Sequence, residues 1–347
     1  MNKEVIIIGG GLAGLTAAYL LEKKNISSTI LEARDRLGGR IHTARPDDHK
    51  RMELGATWLG KQHKSLIQLL QELDLDLEEQ HLGEKAFYEY ISTSPPQLVQ
   101  LPPNDDPTWR IKGGTDQLIG VLQDRLTQSD IRTGQIVLSI QETDKVEVRT
   151  QSTVYYADCV ITTLPPKLLA DRIDFTPALP KELRQISNQT HTWMGESIKV
   201  GLFYDEPFWL KADSSGTIMS NVGPVNEMYD HSDPEKKSFA LKGFLNGAYH
   251  SVSREERKEI ILNQLRKYYG DKVDGFIQYE ETVWRNESFT FTDYSESVLP
   301  HQNNGHEIFG RTYWNGKLLF AGAETSPISP GYMDGAVESA KRVADQI

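Results

Sequence analysis

The chain has 347 residues, of which 38% are hydrophobic and 25% charged, as expected for an ordinary globular protein of about two domains. The net charge is −11 and no block of basic residues is present, so neither nucleic acid nor an anionic membrane surface is an expected partner. Every apolar run is shorter than the roughly 18 residues that span a bilayer, so we expect no membrane association.

The first forty residues predict a dinucleotide-binding turn. Residues 4–9 are apolar and rich in β-branched side chains, which indicates a buried strand. The next residues, Gly9-Gly10-Gly11-Leu12-Ala13-Gly14, follow the pattern G-x-G-x-x-G and run into apolar residues at helical spacing. A second strand ends in Glu32, which lies 18 residues after Gly14.

Each part of this turn has a physical role in holding a diphosphate. Gly9 allows the tight turn, Gly11 lets a pyrophosphate approach the backbone, and Gly14 lets the helix pack closely on the sheet. The free N–H groups of the first helical turn, which includes Ala13, would point at the phosphates. Glu32 stands near the position of an acid that accepts hydrogen bonds from ribose, and its charge disfavours the 2′-phosphate of NADP.

The rest of the chain alternates between helical and extended patterns. Helices are predicted over 64–79, after Gly113-Gly114, and over 176–189, 253–269 and 331–346. Strands are predicted over 51–60, 136–163, 196–204, 238–245, 276–284 and 318–322. The proline-rich residues 83–110 are expected to form an irregular connection between domains.

Strands and helices alternate at both ends of the chain around an antiparallel middle, which predicts an α/β fold. We expect a discontinuous Rossmann-like dinucleotide-binding domain, into which an α+β substrate domain built on an antiparallel sheet is inserted. The first domain is predicted to contain residues 1–63, 111–187 and 287–347, and the substrate domain residues 64–110 and 188–286.

The single cysteine, Cys159, excludes an internal disulfide and a C-x-x-C redox or zinc site. It lies in an apolar strand pattern, so we expect it to be inert core. No basic leader precedes the first predicted strand, and a reducing cytoplasm is the expected location. The nine histidines show no ligand-like cluster, and no metal site is predicted.

The residues after the second strand narrow the choice of dinucleotide. Glu32-Ala33-Arg34 is followed by Gly38-Gly39-Arg40, a second glycine pair that an NAD site does not need. This resembles the E-A-x-x-x-x-G-G-R motif of FAD enzymes of the amine oxidase type. Further segments resemble the flavin-containing amine oxidase family in the same order, namely 53–60 (ELGATWLG), 111–114 (IKGG), the strand Val137-x-x-Ile140, 197–209 (SIKVGLFYDEPFW), 320–325 (FAGAET) and 329–340 (SPGYMDGAVESA).

The resemblance implies FAD as the cofactor. Asp293 stands where some members of the family carry a cysteine bonded to the flavin, so the FAD is expected to be non-covalent. For Trp284 an ordinary core position fits nearly as well as a place beside the flavin. The cofactor-binding residues implied are Gly9, Gly11, Ala13, Gly14, Glu32, Ala33, Arg34, Gly38, Gly39, Arg40, Gly55, Ala56, Thr57, Val137, Trp284, Gly322, Glu324, Tyr332 and Met333.

Three residues are candidates for the chemistry. Lys199 lies in a short apolar strand, and from the residues alone a buried functional lysine and an edge lysine that points to water fit equally. The resemblance favours the first, in which the lysine holds a water beside the flavin and takes part in the reaction with dioxygen. It also implies that Tyr294 and Tyr332 flank the path of the substrate, while free N–H groups at 331–335 face the flavin.

The implied activity is oxidation of a small amine to an imine by hydride transfer to flavin, with dioxygen as acceptor and hydrogen peroxide as product. The chain is shorter than typical family members between His81 and Trp109, so the pocket should be either shallow or completed by a second protomer in a homodimer. Two alternatives remain open. One is a flavin oxidase or dehydrogenase for L-amino acids or cyclic amines, which Arg110 or Arg285 in the pocket would favour. The other is a non-catalytic flavoprotein.

Overall fold

The computed structural model describes residues 3–47 and 49–347. Its helices are α1 (Leu12–Lys23), α2 (Lys64–Glu72), α3 (Asp116–Arg125), α4 (Pro166–Arg172), α5 (Lys181–Asn188), α6 (Phe208–Lys211), α7 (Arg254–Tyr269) and α8 (Met333–Gln346). Its strands are β1 (Val5–Ile8), β2 (Ser28–Leu31), β3 (Thr43–Ala44), β4 (Met52–Glu53), β5 (Trp58–Leu59), β6 (Leu77–Glu79), β7 (Lys85–Glu89), β8 (Gln97–Gln100), β9 (Trp109–Ile111), β10 (Asp130–Arg132), β11 (Val137–Glu142), β12 (Val146–Thr150), β13 (Val154–Ala157), β14 (Cys159–Thr162), β15 (Asp174–Thr176), β16 (Ile198–Tyr204), β17 (Ile218–Ser220), β18 (Val225–Asp230), β19 (Phe239–Leu245), β20 (Gln278–Val283) and β21 (Leu318–Phe320).

A five-stranded parallel sheet lies at the centre of the first domain. Its strand order is β10-β2-β1-β14-β21, so β1 is an inner strand paired with β2 and β14. Val5 and Ile7 face a core formed with α1, α3 and α8, whereas Ile6 and Ile8 face the four-stranded sheet β13-β12-β11-β15. Burial on both faces explains why β1 is apolar at every position instead of alternating.

A seven-stranded sheet, in the order β20-β16-β19-β18-β17-β7-β8, forms the second large element. All but one of its strand pairs are antiparallel, and α7 packs on one face against side chains such as Val200 and Leu202. The parallel sheet and the inserted antiparallel sheet confirm the predicted α/β class. The exact limits of the two domains stay a prediction.

Side-chain alternation decides which residues of the seven-stranded sheet face the first domain. Strand β16 is an inner strand between β20 and β19. Since its even-numbered residues pack under α7, Lys199, Gly201 and Phe203 point to the opposite face. There Met52 packs so closely on the sheet that a Cβ at Gly201 would lie 2.3 Å from its Cε.

Two sequence expectations were wrong in detail. Residues 83–110 are not irregular throughout, because β7 and β8 form an antiparallel pair that extends the seven-stranded sheet. Pro95-Pro96 stands between the two strands, where no ladder hydrogen bond is lost. The helix expected over 64–79 ends at Glu72, since Asp74 adopts a φ of 57°, and Leu77 belongs to β6.

Helix α2 packs on the core of the first domain, where Leu66, Leu69 and Leu70 join α1 and α8. The helices of the described ranges include none that is both long and apolar enough to cross a membrane.

Candidate active site

A cavity of about 720 Å³ begins at the carboxyl ends of β1 and β2 and extends to the inner face of β16. This edge of a parallel sheet is where α/β folds bind ligands. Each segment that the sequence singled out contributes residues to the lining of this cavity, except the glycines of 111–114. Among the individually predicted site residues, Gly14, Glu324 and Tyr294 do not line it. Those that do are Gly9, Gly11, Ala13, Glu32, Ala33, Arg34, Gly38, Gly39, Arg40, Gly55, Ala56, Thr57, Val137, Lys199, Trp284, Gly322, Tyr332 and Met333.

The two glycine segments lie side by side as one wall of the cavity. Gly38 donates from its N–H to the carbonyl of Gly10 at 2.9 Å. A Cβ at Gly11 would come no closer than 3.8 Å to any neighbour, so the backbone there is open to a ligand. Gly14 instead contacts the sheet, since its Cβ would lie 2.0 Å from the carbonyl oxygen of Gly9. Gly14 therefore acts through packing and not through ligand contact.

Glu32 is fixed by backbone donors at the end of β2. Its Oε2 accepts a hydrogen bond from the N–H of Gly10 at 2.7 Å, and its Oε1 accepts one from the N–H of Arg34 at 2.9 Å. A carboxylate oxygen can accept more than one hydrogen bond, so both retain capacity for the hydroxyl groups of a ribose.

The residues present fit FAD. The open backbone at Gly11 can take the diphosphate, Glu32 can take the ribose, and Val137 lines the same end of the cavity. Cys159 is fully buried in β14 and burial raises the pKa of its thiol to about 12, so it does not offer a thiolate to the flavin. The FAD is therefore held without a cysteinyl bond.

Glu324 positions Arg40 instead of facing the ligand. The fully buried Glu324 carboxylate accepts two hydrogen bonds from the Arg40 guanidinium, at 2.5 and 2.8 Å. Burial opposes the charge of Arg40, but the Glu324 carboxylate outweighs it and holds the pKa of Arg40 above its usual value. Arg40 also donates to the carbonyl of Trp193 at 3.1 Å, and Glu324 accepts from the N–H of Trp193 at 3.2 Å.

Lys199 points into the cavity. Its side chain is 6% exposed, its Nζ donates to the carbonyl of Gly55, and the ammonium lies 5.1 Å from the ring centre of Phe244. Burial lowers the pKa of Lys199 from 10.5 to about 8, and the nearby carboxylate of Glu53 opposes this shift in part. Because β16 is an inner strand and Lys199 is buried on it, the alternative of an edge lysine that points to water is excluded.

A second buried lysine was missed in the sequence. Lys242 of β19 is fully buried, donates to the Oγ1 of Thr57, and lies 4.3 Å from the ring centre of Trp58. Burial and the charge of Lys199 hold its pKa well below 10.5. The sequence did contain a signal for Lys242, because this lysine interrupts an apolar strand pattern just as Lys199 does. In the structure it pairs with Gly201 on the neighbouring strand. The two lysines fasten the segment 55–57 that lines the cavity.

The two tyrosines expected to face each other are not brought together. Tyr332 lines the cavity and is 40% exposed. Tyr294 lies outside it, because its hydroxyl accepts a hydrogen bond from the N–H of Thr192 at 2.7 Å. Its ring packs against Phe291, with the ring centres 5.7 Å apart. The aromatic rings near Tyr332 are those of His63, Trp193 and His301, with centres 5.6, 5.8 and 6.1 Å away, and none of the three was predicted as a site residue.

Trp284 and the start of α8 complete the cavity wall. Trp284 is buried and donates from its indole N–H to the carbonyl of Leu54 at 2.8 Å, so it both lines the cavity and holds the segment before Gly55. The free N–H groups begin later than expected. Gly331 and Tyr332 donate to the carbonyls of Ala323 and Ser329, so α8 starts at Met333.

Neither arginine that would favour an amino-acid substrate is among the described residues lining the cavity. Arg110 is buried beside His231 at 3.0 Å and pairs with Glu78 at 3.0 Å. Arg285 pairs with Asp293 at 2.5 Å.

The chain is similar to known flavin-containing amine oxidases over almost its whole length. The family described as "Flavin containing amine oxidoreductase" matches residues 12–104 and 89–347. The probable flavin-containing monoamine oxidase A of Dictyostelium discoideum is 25% identical over 452 residues, covering 99% of this chain and 97% of the relative. Flavin-containing amine oxidase B of Homo sapiens is 26% identical over 457 residues, covering 99% and 86%. Both alignments are longer than the chain, so these relatives contain residues that have no counterpart here.

Solved structures share the fold. A putrescine oxidase with putrescine bound has a TM-score of 0.86 and 23% identity, covering 99% of this chain and 98% of its own. A cyclohexylamine oxidase from Brevibacterium oxydans has a TM-score of 0.83 and 20% identity, with the same coverage.

Proposed function

This chain belongs to the family of flavin-containing amine oxidoreductases and uses FAD to oxidise an amine, and we propose that its substrate is a monoamine with an apolar substituent and its final acceptor dioxygen. Bound FAD supplies the group that takes a hydride equivalent from the α-carbon and passes two electrons to dioxygen, so that amine and dioxygen give an imine and hydrogen peroxide. The observation that carries the proposal is the cavity itself, which joins the glycine turn at Gly11 to Lys199 and Tyr332 in one space.

The charges on the cavity wall support a monoamine over a diamine. Among the lining residues of the described chain, Glu32 is the one carboxylate, and it already accepts hydrogen bonds at the dinucleotide end. The wall near Lys199 includes Trp58 and Phe244. A second ammonium group on the substrate would find no carboxylate on the cavity wall there and would be repelled by Lys199.

Lys199 has two roles in this proposal. With a pKa of about 8 it is mostly protonated at pH 7. Its ammonium can then stabilise the negative charge that develops as dioxygen is reduced. The same charge disfavours an ammonium substrate, so the amine would react as the neutral base, and no separate strong base is required to deprotonate it in the site.

The rings of Tyr332 and Phe244 and the side chain of Lys199 line the same cavity. Together they would exclude water and orient the α-carbon of the amine. Lys199 and Lys242 keep the backbone of 55–57 in place from the sheet side. A reducing compartment such as the cytoplasm remains our proposal for the location, supported by the single buried Cys159.

Anaerobic reduction of the flavin tests the proposal. The purified yellow protein is mixed with n-butylamine, benzylamine, putrescine or L-amino acids, and the flavin absorbance is followed. We expect n-butylamine and benzylamine to bleach the flavin at lower concentration than putrescine, which has the same four-carbon chain and a second amine. Admission of dioxygen should restore the absorbance and release one hydrogen peroxide per flavin.

Other outcomes point elsewhere. Bleaching by amino acids alone would support the amino-acid alternative, and putrescine acting at the lowest concentration would contradict the monoamine assignment. A flavin that no compound reduces would mean a non-catalytic flavoprotein.

A further inference from the structure

One row of side chains crosses the seven-stranded sheet from the cavity towards solvent. Residues that stand directly opposite each other on five successive strands are Lys199 on β16, Phe244 on β19, Glu227 on β18, Met219 on β17 and Tyr88 on β7. Side chains of such opposite pairs project from the same face, so all five lie on the face of the sheet that is turned away from α7.

Exposure rises along this row. Lys199 is 6% exposed, Phe244 is half-buried, Glu227 is exposed and Met219 is 39% exposed. Phe244 lines the cavity, whereas Glu227 does not. The row therefore leads out of the cavity, with Phe244 at the rim and Glu227 as the first carboxylate beyond it.

The carboxylate of Glu227 is held by neutral groups that are continuous with the cavity wall. Its Oε2 accepts a hydrogen bond from the hydroxyl of Tyr229 at 2.8 Å. The ring of Tyr229 packs edge-on against Trp58, with centres 5.1 Å apart, and Trp58 lines the cavity. Within the described chain, no ion pair involves Glu227, so its negative charge is available to a ligand.

The order of charges along the row treats the two forms of an amine differently. Neighbouring strands lie about 4.8 Å apart, so the backbones of Glu227 and Lys199 are separated by about 10 Å. An ammonium ion that arrives from solvent is attracted by Glu227 and by the ring faces of Phe244 and Tyr229. Further inward it is repelled by Lys199, whereas a neutral amine is not.

The substrate of the proposed reaction needs a place for each form. An alkylamine has a pKa near that of lysine, so on the order of one molecule in a thousand is neutral at pH 7. Almost all of the substrate therefore reaches the protein as the ammonium ion, although the cavity beside Lys199 accepts the neutral base.

We propose that Glu227 is a docking site for the ammonium form of the substrate at the rim of the cavity, from which the amine passes Phe244 as the neutral base and leaves its proton to solvent. The inference rests on the proposed function, because it names where that substrate is first bound. Glu227 acts before the chemical step, so its removal affects KM and leaves kcat nearly unchanged.

Steady-state kinetics of Glu227→Gln test this role. The substitution keeps the shape of the side chain and the hydrogen bond from Tyr229, and it removes the charge. We expect the KM for n-butylamine and for benzylamine to rise at least fivefold, with kcat within twofold of the wild type. Glu227→Asp keeps a charge at the rim and should raise KM less than threefold.

Binding of two non-substrates to the FAD-loaded protein separates charge from shape. Benzyltrimethylammonium is a permanent cation without a nitrogen lone pair, and benzyl alcohol is neutral, so calorimetric titration gives both dissociation constants without turnover. Glu227→Gln should weaken benzyltrimethylammonium at least fivefold and benzyl alcohol less than twofold.

Glu147→Gln is the matched control. Glu147 lies on β12 of the four-stranded sheet, and its Oε2 also accepts a hydrogen bond from a tyrosine hydroxyl, that of Tyr156, at 3.2 Å. The substitution changes the net charge by the same amount at a residue that does not line the cavity, so every constant should stay within twofold of the wild type.

Four results would overturn the inference. They are a cation affinity and amine KM within twofold of the wild type in Glu227→Gln, an equal loss of benzyl alcohol binding, an equal effect of Glu147→Gln, or an effect on putrescine alone. A wild-type flavin that no amine reduces contradicts the proposed function instead, and the titration with benzyltrimethylammonium then still decides whether Glu227 binds an organic cation.

Discussion

Replacement of Lys199 by methionine should change how the stability of the apoprotein depends on pH. The pKa of Lys199 falls from 10.5 to about 8 because burial disfavours its charge. In the unfolded chain the same lysine keeps its ordinary pKa. Between pH 8 and 10.5 the unfolded state therefore binds more protons than the folded state, and the free energy of unfolding rises with pH across that window. Below pH 8 the full cost of the buried charge is present.

The magnitude follows from the shift. A tenfold change in proton affinity corresponds to about 1.4 kcal/mol, so the full window contributes about 3 kcal/mol, of which about 2 kcal/mol falls between pH 7 and 9.5. Lys199 is only 6% exposed, so solvent screening reduces this little. Removal of the Lys199 charge also raises the pKa of Lys242 towards its ordinary value. The stability of the variant then depends less on pH, which widens its difference from the wild type.

Urea denaturation of both apoproteins at pH 7 and 9.5 measures this difference. Methionine has a similar volume and no charge, and Tyr332→Phe, at a residue without a buried charge, serves as the control. Relative to Lys199→Met, the wild type should gain about 2 kcal/mol on going to pH 9.5. If the gap between the two proteins is the same at both pH values, Lys199 titrates as an exposed lysine and the proposed site is wrong. With FAD bound, the same variant should keep its flavin and be reoxidised by dioxygen at least tenfold more slowly.

Two further substitutions and one reactivity measurement test the architecture around the cofactor. Gly14→Ala places a Cβ 2.0 Å from the carbonyl oxygen of Gly9, so we expect at least tenfold weaker FAD binding by fluorescence titration, and an unchanged affinity would contradict the packing. Glu324→Gln leaves the charge of Arg40 unbalanced and should lower the unfolding free energy of the apoprotein by about 2 kcal/mol in urea, whereas Glu324→Asp should lose less. Cys159 should react with a thiol reagent on the order of a hundredfold more slowly in the folded protein than in urea, and rapid reaction in the native state would refute its burial.

The dinucleotide turn could be predicted from the sequence because its causes are local. Strand, glycine turn, helix and acid follow each other within 32 residues, and each is specified by neighbours in the chain. The same holds for Lys199 as a candidate, since a lysine in a short apolar strand is recognisable without any partner. Its orientation was left open, because alternation gives two faces and only the pairing of β16 with β19 and β20 shows which face meets the first domain.

The composition of the cavity wall depends on contacts between distant segments. Lys242 meets Thr57 across 185 positions of the chain, and Trp193 meets Glu324 across 131. The hydroxyl of Tyr294 is bonded to the N–H of Thr192, 102 positions away, and the edge hairpin β7–β8 depends on pairing with β17. Local patterns determine the cofactor turn and the strand that carries the lysine. Which side chains meet around them is decided by register and packing, because those energies arise only when the two sheets are brought together.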